Sequence, residues 1–557
     1  MRTFSAADYA VLVAVLVILT AIGLYYRYTG GRQSSTEEYL LGDRRQSVLP
    51  VALSLAASHM SGIAILGTPA EVYFRGAIFF VANLSLIIVI PITVHLFLPV
   101  FFKVGSSSTY EYLYLRFGGR VRTLASITYP VQSVMFMAVV LYAPSLALET
   151  LSGIPILWSI IIVGSVCTFY STIGGIKAVI MTDVFQFMLS TLAVLSIIFS
   201  EYLDKGSFTN ILKIASEGGR LNFSNFSLDP TERHTWWSLL IGGTFTYLGS
   251  YGIHQAQVQR YLTLKDYETA RKTVYVSWLI TSAFSFSLSF AGLCLYSRYH
   301  LCDPLAAGSI ASQDQLVPFF VVDVLDMWPG MSGLVMAGVF SASLSSISAT
   351  LNSLANISVH DFIKPLYSSY THASLTDSQV LVLSKLLACV CGGLLIVMAY
   401  LAHFLAGILQ VGLTLTGLVG GPMVATFTLG MFVPVANEAG ALASLVSGLS
   451  LSLWLNFGGK RPPVVNLPSS IIGCSNSTLF TPPSSQTTLL RPEQYFYVRR
   501  LSYWWNVVLS SLLSFFMGLI VSLLTDYLQK NNTEQLKKNQ QRRENLVMYG
   551  KNKKDDT

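Results

Sequence analysis

The stretch Ser54-Leu-Ala-Ala-Ser-His-Met-Ser-Gly-Ile-Ala-Ile-Leu-Gly-Thr-Pro69 lies in an apolar run long enough to cross a bilayer, yet it holds two glycines, a proline and four hydroxyl groups. Glycine and proline weaken a helix, and hydrocarbon offers no hydrogen-bond partner to a freed backbone group. We therefore expect a helix that is interrupted at membrane depth, where its free backbone groups face protein or water.

The composition of the whole chain agrees with a bilayer environment. Hydrophobic residues make up 52% of the 557 residues, the mean hydropathy is +0.56, and charged residues make up only 11%. Soluble domains carry about 25% charged residues, and a soluble fold could not hide this much apolar surface from water. The composition therefore predicts an integral membrane protein.

Runs of about 20 apolar residues are typical of transmembrane helices, and they predict an all-α fold with about thirteen spans. The spans are centred within residues 9–27, 48–70, 79–102, 123–148, 153–173, 178–200, 235–255, 274–297, 331–357, 379–401, 404–432, 440–457 and 502–525. We assign residues 1–528 to one transmembrane domain. Residues 529–557 hold eight basic and four acidic residues, which favours a cytoplasmic tail near anionic lipid over a nucleic-acid-binding segment.

Basic residues collect in the loops on one side of the predicted membrane. The loops after the first, third, fifth and seventh spans hold Arg27, Arg32, Arg44, Arg45, Lys103, Arg116, Arg120, Arg122, Lys177, Arg260, Lys265, Arg271 and Lys272. Because cytoplasmic loops are enriched in Lys and Arg, we expect an extracellular N-terminus and a cytoplasmic C-terminus.

The same parity places residues 201–234, 298–330 and 458–501 outside the cell. These loops hold three N-x-Ser/Thr sequons, which predict glycosylation at Asn222, Asn225 and Asn476. Cys302 and Cys474 also lie there, in a compartment that permits a disulfide. The sequence leaves open whether these two cysteines pair.

A second interruption is predicted five spans after the first. Span seven contains four glycines between 242 and 252, followed by His254 and Gln255. Interrupted helices at matching positions in two halves indicate a transporter built from inverted repeats, with its site near the midplane. Small residues also let helices pack closely, so these two segments alone do not decide between a site and packing.

Span nine carries a polar stripe. Ser341, Ser345, Ser348 and Asn352 step by four, three and four residues and so share one helix face. Hydroxyls beside the unpaired carbonyls of a broken helix would suit a sodium ion. Asp183, near the start of span six, is either a favourable charge at a helix N-terminus or an ion-pathway residue.

Six motifs in order resemble the sodium:solute symporter family, in the branch of the sodium-coupled monocarboxylate and multivitamin transporters, from about Tyr9 to Leu524. The motifs are Tyr39-Leu-Leu-Gly-Asp-Arg44, Ile65-Leu-Gly-Thr-Pro-Ala-Glu-Val-Tyr73, Tyr110-Glu-Tyr-Leu-Tyr-Leu-Arg-Phe117, Val140-Leu-Tyr-Ala-Pro-Ser-Leu-Ala-Leu148, Gly174-Gly-x-x-Ala-Val-x-x-Thr-Asp-x-x-Gln186 and Gln255-Ala-Gln-Val-Gln-Arg-Tyr-Leu262. The resemblance implies a LeuT-like fold with two inverted five-helix repeats, here residues 48–200 and 235–432.

The resemblance also implies a sodium site. The family's shared site uses carbonyls at the first helix break, which fall on Ala57 and Met60. On the eighth core helix it uses a carbonyl that falls on Ala342 and hydroxyls that fall on Ser345 and Ser346.

Members of the family that move a second sodium ion add further oxygen ligands. One is an aspartate that matches Asp183, and the others are hydroxyls just after the serine pair. Ser348 matches one of these hydroxyls, but Ala349 replaces the other.

Substrates of this fold bind beside the first break, which implies contacts from His59, Ser61, Gly62, Tyr251 and Gln255. The free N–H groups around Ser61 would meet an anionic group, because aligned peptide dipoles offer partial positive charge. His59 stands where members of the branch carry an aromatic residue. A lone histidine on such a helix is also often a hydrogen-bonded structural residue.

The resulting hypothesis is a multi-pass plasma-membrane symporter that imports sodium with a small organic anion, such as lactate, nicotinate, biotin or pantothenate. The alternatives are a sodium symporter for iodide, a sugar or a polyol, and a transporter-like solute sensor or sodium channel. No enzyme motif, nucleic-acid partner or obligatory protein partner is inferred. Sodium is the co-transported ion and membrane lipid is the surrounding partner.

Overall fold

The computed structural model describes residues 4–29, 35–402, 408–459, 461–462, 464–474 and 495–529. Helices and short turns make up this part of the chain, and no strand occurs within it. The predicted all-α class is therefore confirmed.

The first half of the chain builds eleven α-helices. They are α1 (Ala6–Thr29), α2 (Thr36–Leu41), α3 (Val48–His59), α4 (Gly62–Arg75), α5 (Val81–Leu84), α6 (Leu86–Ile92), α7 (Leu98–Val104), α8 (Tyr110–Phe117), α9 (Gly119–Ser152), α10 (Ile156–Lys205) and α11 (Phe208–Glu217).

Eleven more α-helices follow. They are α12 (Trp236–Leu248), α13 (Gln255–Tyr261), α14 (Tyr267–Tyr299), α15 (Leu316–Val324), α16 (Met331–Ile357), α17 (Lys364–Thr371), α18 (Asp377–Leu401), α19 (Ile408–Phe432), α20 (Glu438–Phe457), α21 (Tyr497–Arg500) and α22 (Tyr503–Gln529).

Both predicted interruptions are present. α3 and α4 form a bent pair with an angle of 59° between them, and Met60 and Ser61 lie at the bend. α12 passes into a π-helical turn over Gly249–Ile253, after which His254 has an extended backbone and α13 begins. The breaks lie at Met60–Ser61 and at His254, whereas Gly67 and Pro69 lie inside α4.

The number of spans depends on how long and broken helices are counted. Within the described residues, ten helices are long and apolar enough to cross a membrane, or eleven when α3 and α4 count as one span. α10 has 50 residues, about 75 Å of helix at 1.5 Å per residue, and a bilayer core is about 30 Å thick. It holds two predicted spans that meet at Gly175, whose φ of 61° and ψ of −168° are not helical.

Gly175 is required at this junction for two reasons. Its positive φ favours glycine, and a Cβ there would lie 2.8 Å from Cδ2 of Tyr39. The span at 235–255 is the other one missing from the count by length, because α12 has only 13 residues before the π-helical turn.

α16 lies at the centre of the bundle. It is buried over almost its whole length and packs against α10, α9, α1 and α18. α1 and α18 expose large apolar side chains on their outer faces, among them Val17, Tyr25 and Val390. In a membrane these faces meet lipid, which accepts apolar surface without cost.

The three loops predicted to share one side do contact one another. The backbone amide of Asp303 donates to the carbonyl of Ser470 at 2.8 Å, and Cys302 is joined to Cys474 by a disulfide. The Arg220 guanidinium donates to the carbonyls of Tyr73 (3.0 Å) and Pro468 (2.8 Å). The loops at 201–234, 298–330 and 458–501 thus meet at one end of the bundle.

Not every basic residue that the charge pattern assigned to a loop lies in a surface loop. Lys177 pairs with Glu38 (3.1 Å) and Asp43 (2.8 Å) near the surface. Arg260, however, does not lie in a loop: it is on α13 and 1% exposed. A buried guanidinium needs a carboxylate or carbonyl partner, so its charge belongs to an internal contact.

The predicted modification sites lie at different depths. The Asn222 side chain accepts from the amide of Ile78 at 3.3 Å and donates to the carbonyl of Arg75 at 3.0 Å. The Asn225 side-chain nitrogen donates to Glu232 and to the carbonyl of His234. Glycosylation replaces one hydrogen of the side-chain nitrogen, so at Asn225 one of these two donated bonds would be lost. Asn476 and the tail from residue 530 lie outside the described residues.

Candidate functional site

A cavity of about 180 Å³ lies at the break between α3 and α4. The helices that line it include α3, α4, α5, α9, α12, α13, α14, α16 and α19, together with the π-helical turn after α12. His59, Met60 and Ser61, the three residues at the break, all line it. A cavity therefore lies at the break where the sequence predicts a binding site.

The lining of the cavity combines apolar side chains with polar groups that carry no formal charge. Its described lining includes hydroxyls, amides and two imidazoles, and it includes no Asp, Glu, Lys or Arg. The polar groups are those of Ser58, His59, Ser61, Thr68, Asn83, Gln132, Thr246, Tyr247, Ser250, His254, Gln257, Ser285, Ser346, Thr350 and Thr416. A solute here would be held by dipoles and hydrogen bonds.

The N-terminus of α4 contributes backbone dipoles to this cavity. Ser61 is its N-cap, and its side chain makes no capping hydrogen bond. The first N–H groups of a helix have no intrahelical partner and carry partial positive charge. Ser61 and Ile63 both line the cavity, so this end of α4 is suited to an anionic group.

His59 is packed among aromatic rings. Its ring centroid lies 4.7 Å from that of Tyr251 and 5.4 Å from that of Tyr247. His59 and Tyr247 line the cavity, whereas Tyr251 lies behind His59 and is 1% exposed. Tyr251 therefore supports the histidine and does not face the cavity.

Two other predicted contact residues also lie away from the lining. Gly62 lets α4 approach α16, since a Cβ there would come within 2.1 Å of the Ser343 hydroxyl. The Gln255 side chain accepts from the amide and hydroxyl of Thr109 and donates to the carbonyl of Ser107. Gln255 thus ties α13 to the segment before α8.

The serine pair of α16 is divided between two neighbourhoods. The Ser346 hydroxyl lies at the break, 3.2 Å from the carbonyl oxygen of Ser58 and 3.3 Å from that of Ala342. The Ser345 hydroxyl donates to Asp183 at 2.7 Å. Neighbouring residues of a helix point about 100° apart, so the two hydroxyls face different partners.

Asp183 lies in a fully buried polar cluster. Its carboxylate accepts from Ser54 at 2.5 Å, from Arg260 at 2.8 Å and from Ser345 at 2.7 Å. The Arg260 Nε also donates to Ser54 at 2.7 Å. Asp183 is eight residues beyond Gly175 and paired with a cation, so the packing favours an internal ion pair over a helix-start charge.

Within the described part of the chain, no hydrogen bond joins Asp183 to Ser348, the two residues proposed for a second sodium ion. The Ser348 hydroxyl donates to the carbonyl of Ser345, three residues earlier on its own helix, at 3.0 Å. Asp183 already has a positive partner in Arg260. Ala349, which replaces the family's second hydroxyl, lines the central cavity instead.

Several polar residues of the cavity were missed from the sequence. Gln132 lies on α9, in a span that was identified only from its apolar residues. Gln257 could have been found, because Gln255, Gln257 and Gln259 follow the second break and alternate in sequence. Of these three, Gln257 is the one that lines the cavity.

Comparisons with known proteins agree with this architecture. A family model described as the sodium:solute symporter family matches residues 39–448. A protein of Drosophila melanogaster assigned as a sodium-dependent multivitamin transporter is 47% identical over 474 residues, which cover 85% of this chain and 78% of the relative. Human sodium-coupled monocarboxylate transporter 1 is 43% identical over 481 residues, covering 86% and 78%.

A solved structure shares the fold. It is a Na+-coupled sialic acid symporter in a substrate-bound outward-open state, with a TM-score of 0.77 and 24% sequence identity. The match covers 94% of this chain and 98% of that one. The predicted LeuT-like fold is therefore confirmed.

Proposed function

Because the chain belongs to the sodium:solute symporter family, we propose that it imports a small organic anion together with sodium across the plasma membrane. Sodium-coupled solute transport is the activity of this family, and the chain is a transporter and not an enzyme. The proposal concerns the chemical class of that solute, a small organic anion.

The observation that carries the proposal is the neutral, donor-rich cavity at the break. A protonated amine held by an ion pair would need a carboxylate, and none lies among the described lining residues. A monocarboxylate can instead accept hydrogen bonds from hydroxyls, amides and the N-terminus of α4. The names of the relatives, which include monocarboxylate and multivitamin transporters, support the same class.

For sodium we propose the carbonyls of Ala57, Met60 and Ala342 with the hydroxyls of Ser345 and Ser346. Oxygen ligands suit this hard cation, and the Ser346 hydroxyl already lies against carbonyls of both helices. The Ser345 hydroxyl contacts Asp183, so a sodium ion that recruits it would also act on the Asp183–Arg260 pair.

Coupling follows from where the ion and the solute bind. A sodium ion held between the end of α3 and α16 would order the break, and the ordered break would present the N-terminus of α4 to the solute. Binding of one ligand then reduces the ordering cost for the other, and this is positive coupling. Solute binding would in turn favour closure of the site.

The orientation of the chain follows the basic loops. We place the N-terminus and the loops at 201–234, 298–330 and 458–501 outside the cell, and the C-terminus inside. The contacts among these three loops support their common side, and the excess of Lys and Arg in the opposite loops supports the direction.

A tracer screen tests the proposal. Cells that express the protein would receive labelled lactate, pyruvate, nicotinate, butyrate, biotin, pantothenate, iodide, a sugar, a polyol or choline, in sodium buffer or in N-methylglucamine buffer. We expect sodium-dependent uptake of at least one carboxylate and none of choline. Sodium-dependent uptake of iodide, a sugar or a polyol alone would contradict the solute class, and sodium currents without uptake of any solute would contradict transport.

A further inference from the structure

A second and larger cavity of about 470 Å³ lies beside the central one. Phe79 lines the central cavity, and its ring packs at 5.5 Å against His234, which lines the second cavity. Burial lowers the pKa of His234 to about 3, so this ring is neutral at physiological pH. Two uncharged rings therefore separate the cavities, and the second one lies toward the end that we place outside the cell.

The second cavity is strongly basic. Its described lining holds five arginines, Arg75, Arg233, Arg461, Arg499 and Arg500, against one carboxylate, that of Glu232. Arg75 and Arg233 both pair with Glu71, which does not line the cavity. The other three arginines make no ion pair within the described part of the chain.

These three arginines are held by neutral groups. Arg461 and Arg499 donate to the same carbonyl oxygen, that of Leu455, at 2.7 and 3.1 Å. Arg499 also stacks on Trp454 at 4.7 Å, and Arg500 stacks on Tyr497 at 5.7 Å. Carbonyls and rings orient a guanidinium without cancelling its charge. The nearby carboxylates of Glu71, Glu232 and Asp229 therefore offset only part of the positive charge of the cavity.

The like charges of these arginines repel one another, and a bound anion would reduce that repulsion. Burial, followed by the nearby charges of Arg499 and Arg233, lowers the pKa of Arg461. In addition, the Nε atoms of Arg461 and Arg75 are buried without a hydrogen-bond partner. A guanidinium presents paired donors that fit a carboxylate, so one bound anion would reduce the repulsion and satisfy free donors.

We infer that this arginine-lined cavity is a second binding site for a small monovalent anion, on the outer side of the central site. The ligand is the carboxylate group of the transported solute or a chloride ion, since both present a single negative charge of small size. The inference rests on the proposed orientation and, for the carboxylate, on the proposed function. A solute held there would be separated from the central cavity by the rings of His234 and Phe79.

The test uses the full-length protein in phosphatidylcholine nanodiscs, in sodium-free potassium sulfate buffer. Chloride or lactate is added, and binding is followed by tryptophan fluorescence, because the ring of Trp454 lies against Arg499, which lines the cavity. We expect Arg461→Gln and Arg500→Gln each to raise the half-saturating concentration roughly tenfold, because a hydrogen bond to a charged group is lost. Arg461→Lys keeps the charge but loses the paired donors, so it should keep more of the affinity for chloride than of the affinity for lactate. Lys213→Gln, which removes an exposed charge on α11, should change nothing.

The two sources are separated by competition. If lactate displaces chloride, the site accepts the solute's carboxylate; if only chloride saturates, it is a chloride site. Absence of binding by either anion, or equal affinity in wild type and both arginine variants, would overturn the inference. A Ser346→Ala variant should keep this binding, so a failure of sodium-coupled uptake is distinguishable from a failure of the outer site.

Discussion

Removal of one partner of the Asp183–Arg260 pair should destabilise the protein strongly, and removal of both charges should restore much of the loss. The two side chains are 0% and 1% exposed, with 2.8 Å between Arg260 Nη2 and Asp183 Oδ2. Arg260→Gln leaves the carboxylate with two hydroxyl donors, from Ser54 and Ser345. Asp183→Asn leaves a buried guanidinium without a counter-charge.

The expected size follows from the burial. Breaking a buried ion pair by removing one partner costs about 3–5 kcal/mol, because the remaining charge is uncompensated. This is roughly a 100- to 4,000-fold shift in the folding equilibrium. In the double variant both charges are gone and an amide can donate to an amide, so we expect at least half of the lost stability to return.

The assay is the fraction of monodisperse protein that survives a heating series in detergent at constant sodium, read by size-exclusion chromatography. Glu217→Gln, an exposed charge on α11, serves as the control and should leave the curve unchanged. The reasoning fails if the double variant is no more stable than the single ones. It also fails if Asp183→Asn keeps wild-type stability and lowers the Hill coefficient for sodium, since Asp183 would then serve an ion and not Arg260.

Three further outcomes are expected. Ser346→Ala should raise the sodium concentration for half-maximal uptake about 5- to 150-fold, because a buried oxygen ligand is worth about 1–3 kcal/mol. The matched control is Ser287→Ala on α14, whose hydroxyl donates to the carbonyl of Ala283 on the same helix; equal effects would remove Ser346 from the site. His59→Phe should change the order in which carboxylates compete for uptake without creating choline uptake, since no carboxylate is added to the cavity; choline uptake in the variant would refute this. Cys302→Ser and Cys474→Ser should each lower the stability by about 2–4 kcal/mol, and the double variant should lose no more than either single variant. Thermal unfolding with and without dithiothreitol measures this loss. Single variants as stable as wild type would contradict the prediction.

The breaks in the helices could be predicted from local sequence because their cause is local. Glycine, proline and serine within the apolar runs around Met60 and His254 weaken the helix wherever the rest of the chain lies. The junction at Gly175 was also visible as the boundary between two predicted spans. Its positive φ was not, because that depends on the approach of Tyr39.

Residues of the site were harder to predict because side-chain direction depends on how helices rotate against each other. Asp183 and Arg260 are 77 residues apart and meet only through the packing of α10 and α13. The sequence suggested a loop charge for Arg260, although a lone arginine and a lone aspartate within spans often pair with each other. Tyr251 and Gln255 were predicted to contact the solute, but neither lines the cavity, because Tyr251 packs behind His59 and Gln255 bonds to the segment before α8.

The central claim is that sodium drives a carboxylate inward, and concentrative uptake in proteoliposomes tests it most directly. Labelled lactate and nicotinate, at equal concentrations inside and outside, would be followed after an inward sodium gradient is imposed. We predict that the internal concentration of at least one of them rises above the external one and that a sodium ionophore abolishes the rise. An internal concentration that never exceeds the external one for any monocarboxylate, while sodium still enters, would contradict the claim.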